Sequence, residues 1–206
     1  MWVAIRAPLD FVHLFLDICQ GLGLATAAGI RPFFPAIVSG LYATANWGED
    51  FDHTRYSFME SPEWLIGIAI LMILSFFIRR MGDHTTIDAA IGGMGIGIGA
   101  LEFAGTLADH GHTSAGWTIL GLGGGAAVAT LGAAVYRNMI ARTSQRLDPQ
   151  AQNALPFWFD GVGLVLAALS VAIPPVSLAA IPFLVWLLLG GRRRDEGKYA
   201  GLRSLR

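Results

Sequence analysis

The chain has 206 residues, of which 54% are hydrophobic and 14% charged, with a formal net charge of −1. A soluble domain carries roughly 25% charged residues, and no bulk basic field is present to hold nucleic acid. The single cysteine, Cys19, excludes an internal disulfide and a cysteine metal cluster.

Mean hydropathy is +0.54, and several apolar runs approach the ~20 residues that cross a bilayer. The expected class is all-α, a polytopic helical membrane bundle, because open strands leave backbone groups unpaired in lipid. Seven segments are predicted in chain order, at residues 9–28, 32–47, 62–78, 87–107, 117–140, 156–173 and 176–190. Residues 1–190 form the transmembrane domain and residues 191–206 a basic tail. The count falls to six if the short second segment is re-entrant.

Segment one reads as a retained helix rather than a signal peptide, since acids interrupt it and no small-residue cleavage site follows. It carries Asp10, His13, Asp17 and Gln20 at spacings of 3, 4 and 3, one helical face. Ionisable groups inside spans are costly and usually face the bundle interior. The stripe is therefore a candidate lining for a hydrated path or proton relay.

Segments one and two meet at "GIRPFFP" (29–35). Gly29 is expected to end the first helix in a left-handed conformation, and Pro32 to open the next. Arg31 then stands at a helix N-terminus, whose exposed N–H groups and positive dipole end suit an anion. Gly29, Arg31, Asp17 and Glu102 are the candidate substrate-binding residues.

The external loops "NWGEDFDHTRYSFMESPE" (46–63) and "ADHGHTSAG" (108–116) are acidic and bear histidines. Their spacing matches no metal motif, so no metal ligand and no cofactor is assigned. Segment four places Asp88, Gly92, Gly95, Gly99 and Glu102 on one face, with glycines that allow close helix approach. Asp160 lies near the start of segment six. Asp10, His13, Asp17, Asp88, Glu102 and Asp160 are the candidate proton- or cation-coupling groups. No nucleophile elbow or HExxH is present, so no catalytic residue is assigned. Lys198 is the only lysine and lies in the tail, which excludes an intramembrane Schiff base.

Loop charge sets the orientation. Arg79 and Arg80, then Arg137, Arg142 and Arg146, then the tail with Arg192, Arg193, Arg194, Lys198, Arg203 and Arg206 fall on one side after seven crossings. That side is expected to be the cytoplasm. Pro62 to Gly67, "PEWLIG", resembles "PFWFDG" at an offset of 94, with Gly29 matching Gly123 and Tyr42 matching Tyr136. Identity elsewhere at this offset is near chance; if the likeness marks a repeat, its unit holds three spans, the inverted plan that many transporters use.

"GLATAAGIRPFFPAIVSGL", "LPFWFDGVGLVLAAL" and the tail "KYAGLRSLR" resemble the bacterial membrane proteins grouped as domain-of-unknown-function 4126. The resemblance covers both ends of the chain. It implies a small inner-membrane protein with an early joint at Gly29 and Arg31 and an acid, Asp160, in the penultimate span. It carries no established activity.

The expected function is that of a transporter or permease-like protein for an anionic or amphiphilic small molecule. The alternatives are an integral-membrane enzyme acting on a lipid, and a structural or assembly protein. The expected partners are the lipid bilayer and an anionic lipid or small anion. A homo-oligomer is compatible with the sequence.

Overall fold

A computed structural model describes the backbone of residues 3–81, 84–144 and 147–203, and the side chains of 11–78, 88–144, 147–148, 151–152 and 154–189. Seven α-helices follow in order: α1 (Val3–Ile30), α2 (Phe33–Thr44), α3 (Pro62–Met81), α4 (His84–Asp109), α5 (Ala115–Ser144), α6 (Pro149–Ala172) and α7 (Val176–Arg203). A 3₁₀ turn, Ser57–Glu60, precedes α3. No strand occurs among the described residues.

α1, α4, α5 and α6 contain stretches long and apolar enough to cross a membrane, and α2, α3 and α7 contribute shorter apolar stretches. Apolar side chains point outward in numbers: Ile66, Ile70 and Ile73 on α3, Phe157, Trp158 and Val165 on α6, Phe183 and Trp186 on α7. Such an inverted surface fits lipid, where burial of apolar groups gains nothing over exposure.

The helices alternate in direction. Gly21 of α1 packs on Phe103 of α4, Gly99 on Ala25 and Gly95 on Ala28, an antiparallel register. Gly121 and Gly125 of α5 pack on Ala104 and Ala100 of α4 in the same antiparallel sense. α1 is the central helix, with Leu24, Ala25, Ala27 and Ala28 fully buried. One end of the bundle carries the loops at 45–61, 110–114 and 173–175, and is called the loop end below. The other carries the α1–α2 joint, the C-terminal ends of α3 and α5, and the start of α6. It is called the Arg31 end.

Two helices end for a visible reason. Segment two was expected to reach Trp47, but Asn46 turns left-handed at φ 51°. Asn46 N–H donates to the Ala43 carbonyl and Trp47 N–H to that of Tyr42, both at 2.9 Å, the Schellman closure. α4 ends in the same way at Gly111, φ 87°, with Gly111 N–H on Ala108 and His112 N–H on Leu107. α2 is therefore only 12 residues, about 18 Å. The chain then tucks back inward, burying Glu49, Phe51 and Met59. This loop fills the depth that α2 leaves.

Gly29 differs from expectation. It lies inside α1, which continues to Ile30, and has no positive φ. A Cβ there would strike the carbonyl of Ala129 on α5, so this glycine serves close helix contact. Gly95 and Gly99 do the same on α4, whereas Gly92 faces open space. Pro62 opens α3, while Pro156, its partner at the offset of 94, lies seven residues into α6.

Candidate functional site

The stripe on α1 divides by depth. The side chain of Asp10 lies outside the described residues. His13 is exposed, and Asp17 and Gln20 are buried. Gln20 Nε2 donates to the Gly48 carbonyl at 3.0 Å and to Glu49 Oε1 at 3.1 Å. The hydroxyl of Thr106, on α4, lies 2.8 Å from the same Glu49 oxygen and 3.0 Å from the Glu102 carbonyl. One turn below Thr106, Glu102 Oε1 accepts from Ser39 Oγ of α2 at 2.9 Å.

A continuous polar chain thus runs inward from the loop end: Gln20, Glu49, Thr106, Glu102, Ser39. Glu49 is 2% exposed and Glu102 not at all. Each has one carboxylate oxygen held by donors. The other, Oε2, is buried with no hydrogen-bond partner in either residue. The two carboxylates are near enough to interact electrostatically, and neither forms a salt bridge among the described residues. Burial pushes the Glu49 carboxyl up from 4.5 to about 7, against the opposing hydrogen bonds from Thr106 and Gln20.

Above this chain Asp17 faces two imidazoles, His110 Nε2 at 3.5 Å and His112 Nε2 at 3.9 Å. The Schellman turn at Gly111 sets both histidines there. To one side, the exposed Asp50 and Asp52 and the half-buried Glu60 bring their carboxylates within 4.8 Å of one another. Burial, then the contact with Asp52, raises the Glu60 carboxyl above its usual range.

The Arg31 end is a separate constellation. Arg31, 8% exposed, continues the hydrogen bonding of α1 through its N–H to Ala27. Its Nε lies 2.7 Å from Asp160 Oδ1, close but out of line for a hydrogen bond. Its Nη2 donates to the Pro156 carbonyl at 2.7 Å, and the guanidinium lies over the Tyr136 ring at 4.9 Å. Asp160 therefore answers the charge that the sequence offered to an anion. Arg31 and Gly29 do not join Asp17 and Glu102 in one site. Ser39 is eight residues along from Arg31, roughly 12 Å of helical rise. Asp88 is exposed.

Residues 18–194 match the family described as a domain of unknown function, DUF4126. The match spans most of the 206 residues. The chain belongs to that family. It matches no curated protein and no solved structure.

In this DUF4126 protein a cleft of about 700 Å³ opens between α6 and α7. Its walls are apolar, among them Ile30, Phe157, Trp158, Val162, Phe183 and Leu184. Ile30 adjoins Arg31 in sequence, and Gly161, also in the wall, adjoins Asp160. The carboxylates of the loop end line none of it. Sequence reasoning missed Glu49, Ser39 and Thr106. Glu49 sits in a loop whose acids all read as solvated, and only the tucking of that loop buries it. Thr106 was legible in principle, one turn from Glu102 on the same face of α4.

Proposed function

We propose that this DUF4126 protein is a transporter-like multi-pass protein of the cytoplasmic membrane, with its C-terminus in the cytoplasm. In this reading Glu49 and Glu102 take up and release the coupling proton. One observation carries it: two neighbouring carboxylates, each with a buried oxygen that no donor reaches. Leaving a carboxylate in an apolar bundle costs several kcal/mol. A purely structural role would be met by glutamine, which keeps the shape without the charge. A group that is protonated and deprotonated in turn needs the spare oxygen. A pKa of about 7 for Glu49 supports proton exchange near neutral pH.

The substrate class follows from the other end. An amphiphile with its alkyl chain in the α6–α7 cleft would bring its head group to Arg31 and Asp160, and Asp160 is 32% exposed. An enzyme acting on lipid would need paired carboxylates at the cleft, and the pair Glu49 and Glu102 lies at the other end, which favours transport over that alternative. The inward and outward faces of the glycine-packed helices are equally compatible with a structural protein, so the test is one of charge movement.

Proteoliposomes adsorbed on a sensor electrode are given an acid jump. Wild type should show a transient charge displacement that empty liposomes lack. Glu102→Gln and Glu49→Gln should each abolish it while the protein stays inserted and folded. A wild-type signal equal to that of empty liposomes, or an unchanged signal in Glu102→Gln, removes the reading.

A further inference from the structure

Two of the chain's five histidines face one buried acid, and a third lies one helical turn from it in sequence. His13 and Asp17 stand one turn apart on α1, an i, i+4 pair on one face. His110 closes α4, and His112 follows the left-handed Gly111. His110 Nε2 lies 3.5 Å and His112 Nε2 3.9 Å from the Asp17 carboxylate. Asp17 is 5% exposed and accepts no hydrogen bond among the described residues. Its two oxygens instead face one Nε2 each.

The tautomer of His110 is fixed by its surroundings. Its Nδ1 is 2.9 Å from the Thr106 carbonyl oxygen, which can only accept, so Nδ1 carries a proton. The Nε2 of the neutral ring then points a lone pair at a carboxylate oxygen. The contact is met either by a proton on Nε2, which makes an imidazolium paired with Asp17, or by a metal ion between the two atoms. A ring held by Nδ1–H on a backbone carbonyl, with Nε2 directed at an acid, is the orientation seen in metal-bound histidine. We infer that Asp17, His110 and His112, with His13 as fourth donor, form a binding site for a divalent transition cation of the zinc class.

One edge agrees, while the three ligand atoms together do not yet lie within 4.8 Å of one another. Zinc bonds to nitrogen and oxygen of about 2.0–2.2 Å at tetrahedral angles place neighbouring ligand atoms roughly 3.4 Å apart. The His110–Asp17 separation of 3.5 Å is that of such an edge and is longer than a hydrogen bond of about 2.7–3.2 Å. The 3.9 Å from His112 to Asp17 requires the His112 ring to move inward. That ring is half-buried on a turn and rests against Trp117 at 4.7 Å. Imidazole donors exclude calcium and magnesium, which take oxygen ligands. The all-oxygen trio Asp50, Asp52 and Glu60 is the competing locus nearby and supplies the control. This site does not depend on the transport reading. A bound ion would tie α1 to the α4–α5 turn, above Gln20 and Glu49.

The test uses the full chain in detergent, freed of any polyhistidine tag. Zn²⁺ binding is measured by calorimetry and Co²⁺ binding by visible absorption, at a pH where imidazole is neutral. One saturable site with the absorption of tetrahedral cobalt is expected. His110→Ala, His112→Ala and Asp17→Asn should each weaken it by about tenfold or more, while Asp52→Asn leaves it unchanged. The two histidine variants sit on a surface turn and keep the test open should Asp17→Asn fail to fold. Absence of saturable Zn²⁺ binding overturns the site. So does equal affinity in His110→Ala and wild type, or loss of binding in Asp52→Asn.

Discussion

Arg31 and Asp160 test what a buried charge is worth once its partner is removed. Breaking a buried pair leaves an uncompensated ion and costs roughly 3–5 kcal/mol. Water reaching the 32% exposed Asp160 side chain lowers that to about 2 kcal/mol. Asp160→Asn should therefore lower the melting temperature of the solubilised protein, and Arg31→Met in the same chain should restore most of the loss. If Asp160→Asn is silent, Arg31 is answered by another group. Glu49 gives the pH dependence. Its folded pKa is raised to about 7 from 4.5, so its contribution to stability is fully present below about 4.5. It falls as pH rises towards 7 and is gone above that. Glu60, raised in the same direction, adds to the slope. Glu49→Gln should flatten the fall in a series of thermal melts across this range, and an equally steep fall in the variant would place the titration elsewhere. The sequence showed Asp17, Gln20 and Glu102 because helical spacing is local. It could not show Glu49 as buried or Arg31 as paired, because both facts depend on contacts between distant segments.

The helices were legible as elements and their ends less so. Apolar runs placed all seven, but α1, α4 and α5 extend beyond their apolar cores, since a helix does not end where hydropathy does. α2 ends early because asparagine can adopt the left-handed closure, a choice that hydropathy does not encode. Glycine spacing announced close packing, and the contacts sort the glycines by role. Gly29 meets the Ala129 backbone and Gly125 the Gly99 backbone, whereas Gly97 meets nothing within 4 Å. Gly29→Ala and Gly125→Ala should force α1, α4 and α5 apart and destabilise by roughly 1–3 kcal/mol, the scale of overpacking. Gly97→Ala should be neutral or stabilising by up to about 1 kcal/mol through helix propensity. Thermal melts of the three variants check the ranking. A loss in Gly97→Ala as large as in Gly29→Ala would show that backbone propensity, not contact, governs these positions.

At the scale of the whole molecule, the alternating helices gather the basic connections at one end. Arg137 and Arg142 lie near the C-terminal end of α5, at the same end of the bundle as the end of α3 and the start of α6. The acidic and histidine-bearing loops gather at the other. Lys and Arg are retained on the cytoplasmic side during insertion, so the Arg31 end should face the cytoplasm and the loop end the exterior. Both proposed functions use that polarity, since the histidine cluster and the polar chain would then open outward. Cys19 is buried and is the only native thiol, which allows a clean background of Cys19→Ala. Single cysteines at Asp52→Cys and Thr113→Cys report the loop end, and Arg142→Cys reports the Arg31 end. An impermeant thiol reagent applied to intact cells should label the first two and leave the third untouched until the membrane is opened. Labelling of Arg142→Cys from outside would invert the molecule. Labelling of Thr113→Cys without Asp52→Cys would mean that α2 and α3 do not carry the chain across in the seven-pass order.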